Sequence, residues 1–136
     1  MATLVFTNPK CMINAVDLSA WVRQVSIDYS AEVVDSTTAG STTKTKLGGL
    51  KDWTMTVTFA QDYGASAPDV SLFALMGTSV AVSVVPVNTT VAATNPNYNG
   101  NAIVSAYKPV GGSIGGLLET NVTLAGNATL SRTTTP

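Results

Sequence analysis

Histidine is absent from the 136 residues. Its absence excludes Ser–His and Cys–His nucleophilic machinery. With a single cysteine, it also excludes the His/Cys ligand sets that hold zinc. Cys11 has no intrachain partner, so no disulfide forms, and a packed, inert thiol is expected. Charge is scarce as well. Lys, Arg, Asp and Glu together make up 11% of the chain and the net charge is −1, so no basic face exists of the kind that grips nucleic acid. No run of about 18 apolar residues is present to cross a membrane as a helix. The opening MATLVFTNPK has neither a charged n-region nor a long apolar h-region, so the chain is expected to be made and folded in a reducing cytoplasm. The three Asn-X-Thr sequences at Asn88, Asn121 and Asn127 then carry no glycan.

Other candidate chemistry fails on its surroundings. Asp28 with Glu32, and Asp62 with Asp69, read as solvated strand-face and loop carboxylates rather than an acid–base pair. Gly111–Gly116 (GGSIGG) has the glycines of a phosphate-cradling loop, but no Lys-Ser/Thr pair and no helix follow it. It reads as a hairpin turn. No enzyme activity, metal or cofactor is expected.

What the sequence has in place of charge is Thr, Ser and Val, the composition of a pleated, half-solvated sheet. Its length fits one domain, residues 1–136. Residues 3–7 and 10–16 read as short strands, and Asp17–Val22 as one capped helical turn. In Val22–Asp35, Val25, Ile27, Tyr29, Ala31 and Val33 alternate with Ser26, Asp28, Ser30 and Glu32. After the polar stretch 36–50 (STTAGSTTKTKLGGL), alternation resumes with Trp53, Met55, Val57 and Phe59 inward and Thr54, Thr56, Thr58 and Ala60 outward. Residues 67–76 form the one convincing helix: Pro68 suits its first turn, Asp69 its positive end and Gly77 its C-terminal cap. Val70, Phe73 and either Leu72 or Met76 are its candidate inward residues. Further strands are expected over 79–86, 101–108 and 117–132, with a polar loop 87–98 ending at the turn signal Asn99-Gly100 and a possible bulge at Gly126. The fold class is therefore mainly β: an antiparallel β-sandwich or squashed barrel with one short helix packed on it. Trp53, Val57, Phe59, Ile27 and Phe73 are expected in the core.

Five segments, in order along most of the chain, resemble the tail tube proteins of long-tailed bacteriophages. Asn14–Val22 (NAVDLSAWV) is similar to the family's "N-G-V-D-L-S-x-x-V" opening, with Ala15 where glycine is common. Tyr29–Thr38 resembles the strand entering the family's long loop, and Gly49–Val57 (GLKDWTMTV) the strand leaving it. Leu72–Gly77 and Asn95–Gly100 resemble segments of small phage structural proteins. The resemblance implies a virion protein whose six subunits close into a ring, with rings stacked into a tube that conducts the genome. It implies that the loop 36–50 reaches a neighbouring subunit or ring, and that Thr42, Thr43, Lys44, Thr45, Lys46 and Lys51 lie in that interface. A conduit must not bind DNA, so a neutral or acidic hydroxyl-lined wall suits it. Ser26, Asp28, Ser30 and Glu32 are the lumen-facing candidates. The implied partners are copies of the same chain and other tail or head proteins, with DNA passing through without specific binding and no membrane.

Two other readings stay open on the sequence. One is a capsid decoration or other minor virion protein. The other is a ligand-binding β-sandwich, for which Tyr63, Tyr98 and Tyr107 are the candidate aromatics.

Overall fold

The computed structural model describes residues 4–135. Its strands are β1 (Lys10–Ile13), β2 (Val16–Asp17), β3 (Val22–Asp35), β4 (Lys46–Ala60), β5 (Ser79–Val85), β6 (Asn97–Tyr107), β7 (Glu119–Gly126) and β8 (Ser131–Thr133). They form one antiparallel sheet in the order β2-β1-β5-β6-β7-β4-β3, with β8 beside β6. The sheet is one continuous surface, curled about its core but not closed into a barrel, because β3 does not pair with β1 or β2.

Period-two alternation dictates which face is buried. Trp53, Met55, Val57 and Phe59 are each at most 3% exposed, as expected. The register sets Met55 between Ile27 and Leu124, and Val57 between Val25 and Val122. Val80, Val82 and Val84 of β5, with Cys11 and Ile13 of β1, join the same cluster. Ile27, expected in the core, packs against its edge half-buried. With a helix of only five residues to cover it, the sheet buries its apolar face by curling over itself. Full burial contributes about 1.5–3 kcal/mol for each large aliphatic or aromatic side chain. Cys11 is fully buried, and burial pushes its thiol up to about 12, so it stays protonated and inert.

Several elements differ from the sequence expectation. Residues 4–9 form no strand, and Thr3 of the expected first strand lies outside the described residues. The expected strand 10–16 is folded back on itself: Asn14 and Ala15 have φ of 53° and 63°, a tight turn that returns Val16 to Ile13. The turn after it is a 3-10 helix, Ser19–Trp21. Asp17 accepts hydrogen bonds there from the Ser19 amide (3.0 Å) and hydroxyl (2.5 Å), which hold its carboxyl below the usual range.

The helix α1 is Pro68–Leu72, continued by a 3-10 turn over Phe73–Leu75. Within α1 the stripe of Pro68 and Leu72, one turn apart, faces the sheet, and half-buried Leu75 of the 3-10 turn packs against the core. Phe73 is 65% exposed, so its expected core position is wrong; Val70 and Met76 are exposed as well. Phe73 follows Leu72 by about 100° of helix rotation, and the α-helix ends before Met76 can return to the inner stripe. The Asn99-Gly100 signal lies inside β6 rather than in a turn. The expected strand 117–132 is split into β7 and β8, and Gly126 ends β7 instead of bulging it.

Candidate assembly surfaces

β3 and β4 outrun their neighbours. β4 meets β7 only from Thr54 onward, yet continues to pair with β3 back to Lys46. The stretch 36–50 is therefore not all loop. Residues 46–50 belong to β4, and the connection proper is 36–45. The result is a two-stranded arm with Asp35 opposite Lys46, Val34 opposite Leu47, Val33 opposite Gly48 and Ala31 opposite Lys51.

Hydroxyls organise the tip. The Thr45 amide donates to Thr37 Oγ1 (2.9 Å), its carbonyl accepts from the Ser36 amide (2.9 Å), and the Ser36 and Thr45 hydroxyls share a bond of 3.0 Å. The Asp35 carboxylate accepts from the Thr37 amide at 2.9 Å, and hydrogen bonds from Thr37 hold it below the usual range.

Apart from Ser36, every residue from Asp28 to Asp52 is exposed, including Thr42, Thr43, Lys44, Thr45, Lys46 and Lys51. Five of the exposed residues are large and apolar: Tyr29, Val33 (67%), Val34, Leu47 and Leu50 (78%). An isolated two-stranded ribbon is marginal in water, and clustered exposed apolar side chains mark an interaction surface. The outer edge of β3 pairs with no other described strand over its 14 residues, a length of open edge that proteins normally cover.

The outer face of the sheet is a field of small polar groups. Ser26 lies opposite Thr56, which lies opposite Thr123; Asp28 lies opposite Thr54, which lies opposite Ala125. Thr58 donates to Asn121 Oδ1 at 2.6 Å. Ser26, Asp28 and Ser30 thus sit together on one face as the alternation requires. Glu32 continues the same face of β3, because the extra residue at the register shift lies in β4. It stands on the arm beside Gly49, where the β3–β4 register shifts.

The opposite end of the sheet carries an apolar surface that the sequence reading missed. Val70 and Phe73 of the helix region are exposed there, as are Val110, Ile114 and Leu117 of the glycine-rich turn. Two signals pointed to it. Residues 70–76 are apolar nearly all round, more than one inward stripe needs, and Ile114 and Leu117 interrupt an otherwise small, polar turn.

The acid–base and aromatic candidates have structural duties. Asp62 accepts from the Trp21 indole (3.1 Å) and the Gly64 amide (2.8 Å). Asp69 accepts from the Tyr107 hydroxyl (2.7 Å), and burial pushes that phenol up to about 12. Tyr63 donates to the Pro109 carbonyl (2.8 Å). The described residues include no group of three or more His, Cys, Asp or Glu placed to hold a metal. An apolar groove of about 380 Å³ marks the unclosed seam, lined by Phe6, Ile27, Tyr29, Val84 and Tyr98 among others.

No family model and no curated protein matches the sequence. Among solved structures, it is similar to a chain of the virion of a native gene transfer agent particle, with a TM-score of 0.74 and 17% identity over 93% of this chain and 95% of that one. It is also similar to a chain of the tail of an empty gene transfer agent particle with C6 symmetry, with a TM-score of 0.64 and 17% identity over 93% and 94% of the two chains. The chain therefore has the fold of subunits found in gene transfer agent particles, one of them in a tail of C6 symmetry.

Proposed function

We propose that this chain is a non-enzymatic structural subunit of a virion tail, which associates with its own copies into rings that stack as a tube and conduct the genome. The observation that carries the reading is the arm: a two-stranded ribbon whose exposed Val33, Val34, Leu47 and Leu50 have no cover within the monomer. A chain built to act alone gains nothing from that exposure. Contact with a neighbouring copy would bury these residues along with the open edge of β3. The C6 tail of the fold relative supports six copies to a ring.

In such a ring the face bearing Ser26, Asp28, Ser30 and Glu32 turns toward the lumen, and Thr42, Thr43, Lys44, Thr45, Lys46 and Lys51 lie in contacts between subunits. A hydroxyl-rich, weakly acidic wall gives phosphates no cation to hold. Negative-stain electron microscopy of the purified protein at high concentration tests the proposal. Rings or tubes are expected; a decoration protein would remain small until it met a shell. A monomer that persists at millimolar concentration overturns self-association.

A further inference from the structure

β1 and β5 are antiparallel partners, with Lys10 opposite Val85, so the residues before β1 and after β5 leave the sheet side by side. The Asn88 amide donates to the Asn8 carbonyl at 2.8 Å and ties the two segments together. The 3-10 turn Ser19–Trp21 is latched to the same strand. The Leu18 amide donates to the Cys11 carbonyl (3.0 Å), and the Cys11 amide donates to Ser19 Oγ (3.0 Å). Asn8, Asp17, Ser19, Trp21 and Asn88 thereby line a cleft of about 450 Å³. Small-ligand sites fall in the range of about 300–1,000 Å³.

The fold leaves most of the polar groups in this cleft unused. The Ser19 amide and hydroxyl both donate to Asp17 Oδ1, and Oδ2 has no donor among the described residues. Asn8 and Asn88 are joined through their backbones, and neither side-chain amide has a partner among the described residues. Trp21, by contrast, is fixed. Its indole N–H donates to Asp62 Oδ2 at 3.1 Å, and the ring packs against the core cluster while also lining the cleft.

The lining selects its ligand by exclusion. No Lys or Arg lines the cleft, and the Ser19 bonds hold Asp17 ionised, so phosphates and other anions are repelled. Two amides and a carboxylate make it unfit for a lipid chain. A neutral molecule with one apolar face and a rim of hydroxyls matches what remains. We propose that the cleft is a carbohydrate site, which takes one neutral pyranose with its C–H face on the Trp21 indole and its hydroxyls shared among Asp17 Oδ2 and the amides of Asn8 and Asn88. The face of the indole is electron-rich and attracts polarised C–H groups. Each amide both donates and accepts, while the carboxylate only accepts, and hydrogen bonds to a charged acceptor are the stronger kind. The site goes beyond the structural role and does not depend on self-association.

NMR titration of the dilute, isotope-labelled chain tests it, with glucose, galactose, mannose and N-acetylglucosamine as probes and sorbitol as an open-chain control. At least one of the sugars is expected to shift the Trp21 indole N–H and the side-chain amides of Asn8 and Asn88 saturably, with a dissociation constant on the order of millimolar. The buried Trp53 indole is expected to stay in place, and sorbitol, which has no ring to stack, to shift nothing. A chain carrying both Asn8→Ala and Asn88→Ala is expected to bind about tenfold more weakly or worse. Its unfolding midpoint is expected to be unchanged, because both positions are exposed. The proposal is overturned by the absence of a saturable shift with all of the sugars, by shifts centred elsewhere, by equal binding of sorbitol, or by a double variant that binds like the unaltered chain. Each of these results leaves self-association to the electron-microscopy test.

Discussion

The indole of Trp53 lies across the backbone of Gly126. A Cβ at that position would overlap the indole Nε1, Cε2 and Cδ1, and a Cβ on Gly100 would stand 3.0 Å from Cζ2. The indole N–H donates to the Ala128 carbonyl at 3.0 Å. One ring thus fixes the point where β7 ends and the chain turns toward β8. Gly126→Ala is expected to destabilise the fold by about 1–3 kcal/mol through overpacking. Gly48→Ala, where a Cβ meets nothing within 4 Å, is expected to be nearly neutral. Urea unfolding followed by tryptophan fluorescence separates the two, and equal midpoints would mean that the ring does not need the glycine.

Phe59 and Phe73 make a second contrast, since one is fully buried and the other 65% exposed. Phe59→Ala is expected to cost about 3–5 kcal/mol. Phe73→Ala is expected to stay within about 0.5 kcal/mol in the monomer. A large loss at Phe73 in dilute protein would show it packed within the subunit.

Ala15 holds φ at 63° in the turn between β1 and β2. A left-handed conformation costs a residue with a Cβ about 1–2 kcal/mol. Glycine removes that strain and gives back part of the gain, about 0.4–1 kcal/mol, as extra freedom of the unfolded chain. Ala15→Gly is therefore expected to raise the melting temperature by a few degrees in calorimetry. A fall would show the turn to be relaxed as it stands.

If the face of Ser26, Asp28 and Ser30 lines a channel, its charge decides whether DNA adheres. Asp28→Lys is expected to leave the subunit folded, because the position is exposed. Tubes of the variant are expected to retain short DNA at low salt and release it as salt rises, while tubes of the unaltered protein retain none. Equal behaviour of the two would turn this face away from the lumen.

Much of this fold can be read from alternation. The inward set of β4 follows from Trp53, Met55, Val57 and Phe59 at every second position, and β5 from its valines. Where alternation stops, legibility stops. Residues 46–50 have no apolar period of their own, and they become strand because β3 offers them a partner in register. Asn99-Gly100 has the composition of a turn, yet it lies in β6 because it pairs with Ser83 and Val82 of β5, and Trp53 leaves little room for a side chain at Gly100. Phe73 points outward because Leu72 holds the inner stripe, about 100° of helix rotation away. The outer face bearing Ser26, Asp28 and Ser30 was legible as one side of a strand. Glu32 keeps that side, but its neighbour across the arm, Gly49, is set by a register shift in β4 that no periodicity encodes.

The pairing order of the sheet also governs how the chain is made. β3 and β4 are joined by a short connection and pair as soon as both have left the ribosome. The strand on the other side of β4 is β7, and residues 61–118 must be synthesised between them. Throughout that interval the nascent hairpin shows Met55, Val57 and Phe59 to water, with sites for β7 still vacant along its inner edge. Distant pairings of this kind fold slowly and expose their edges while they wait. Protection of the growing chain therefore matters most just before its last strands appear, and a ribosome that stops short of β7 releases a product suited to aggregation rather than to assembly.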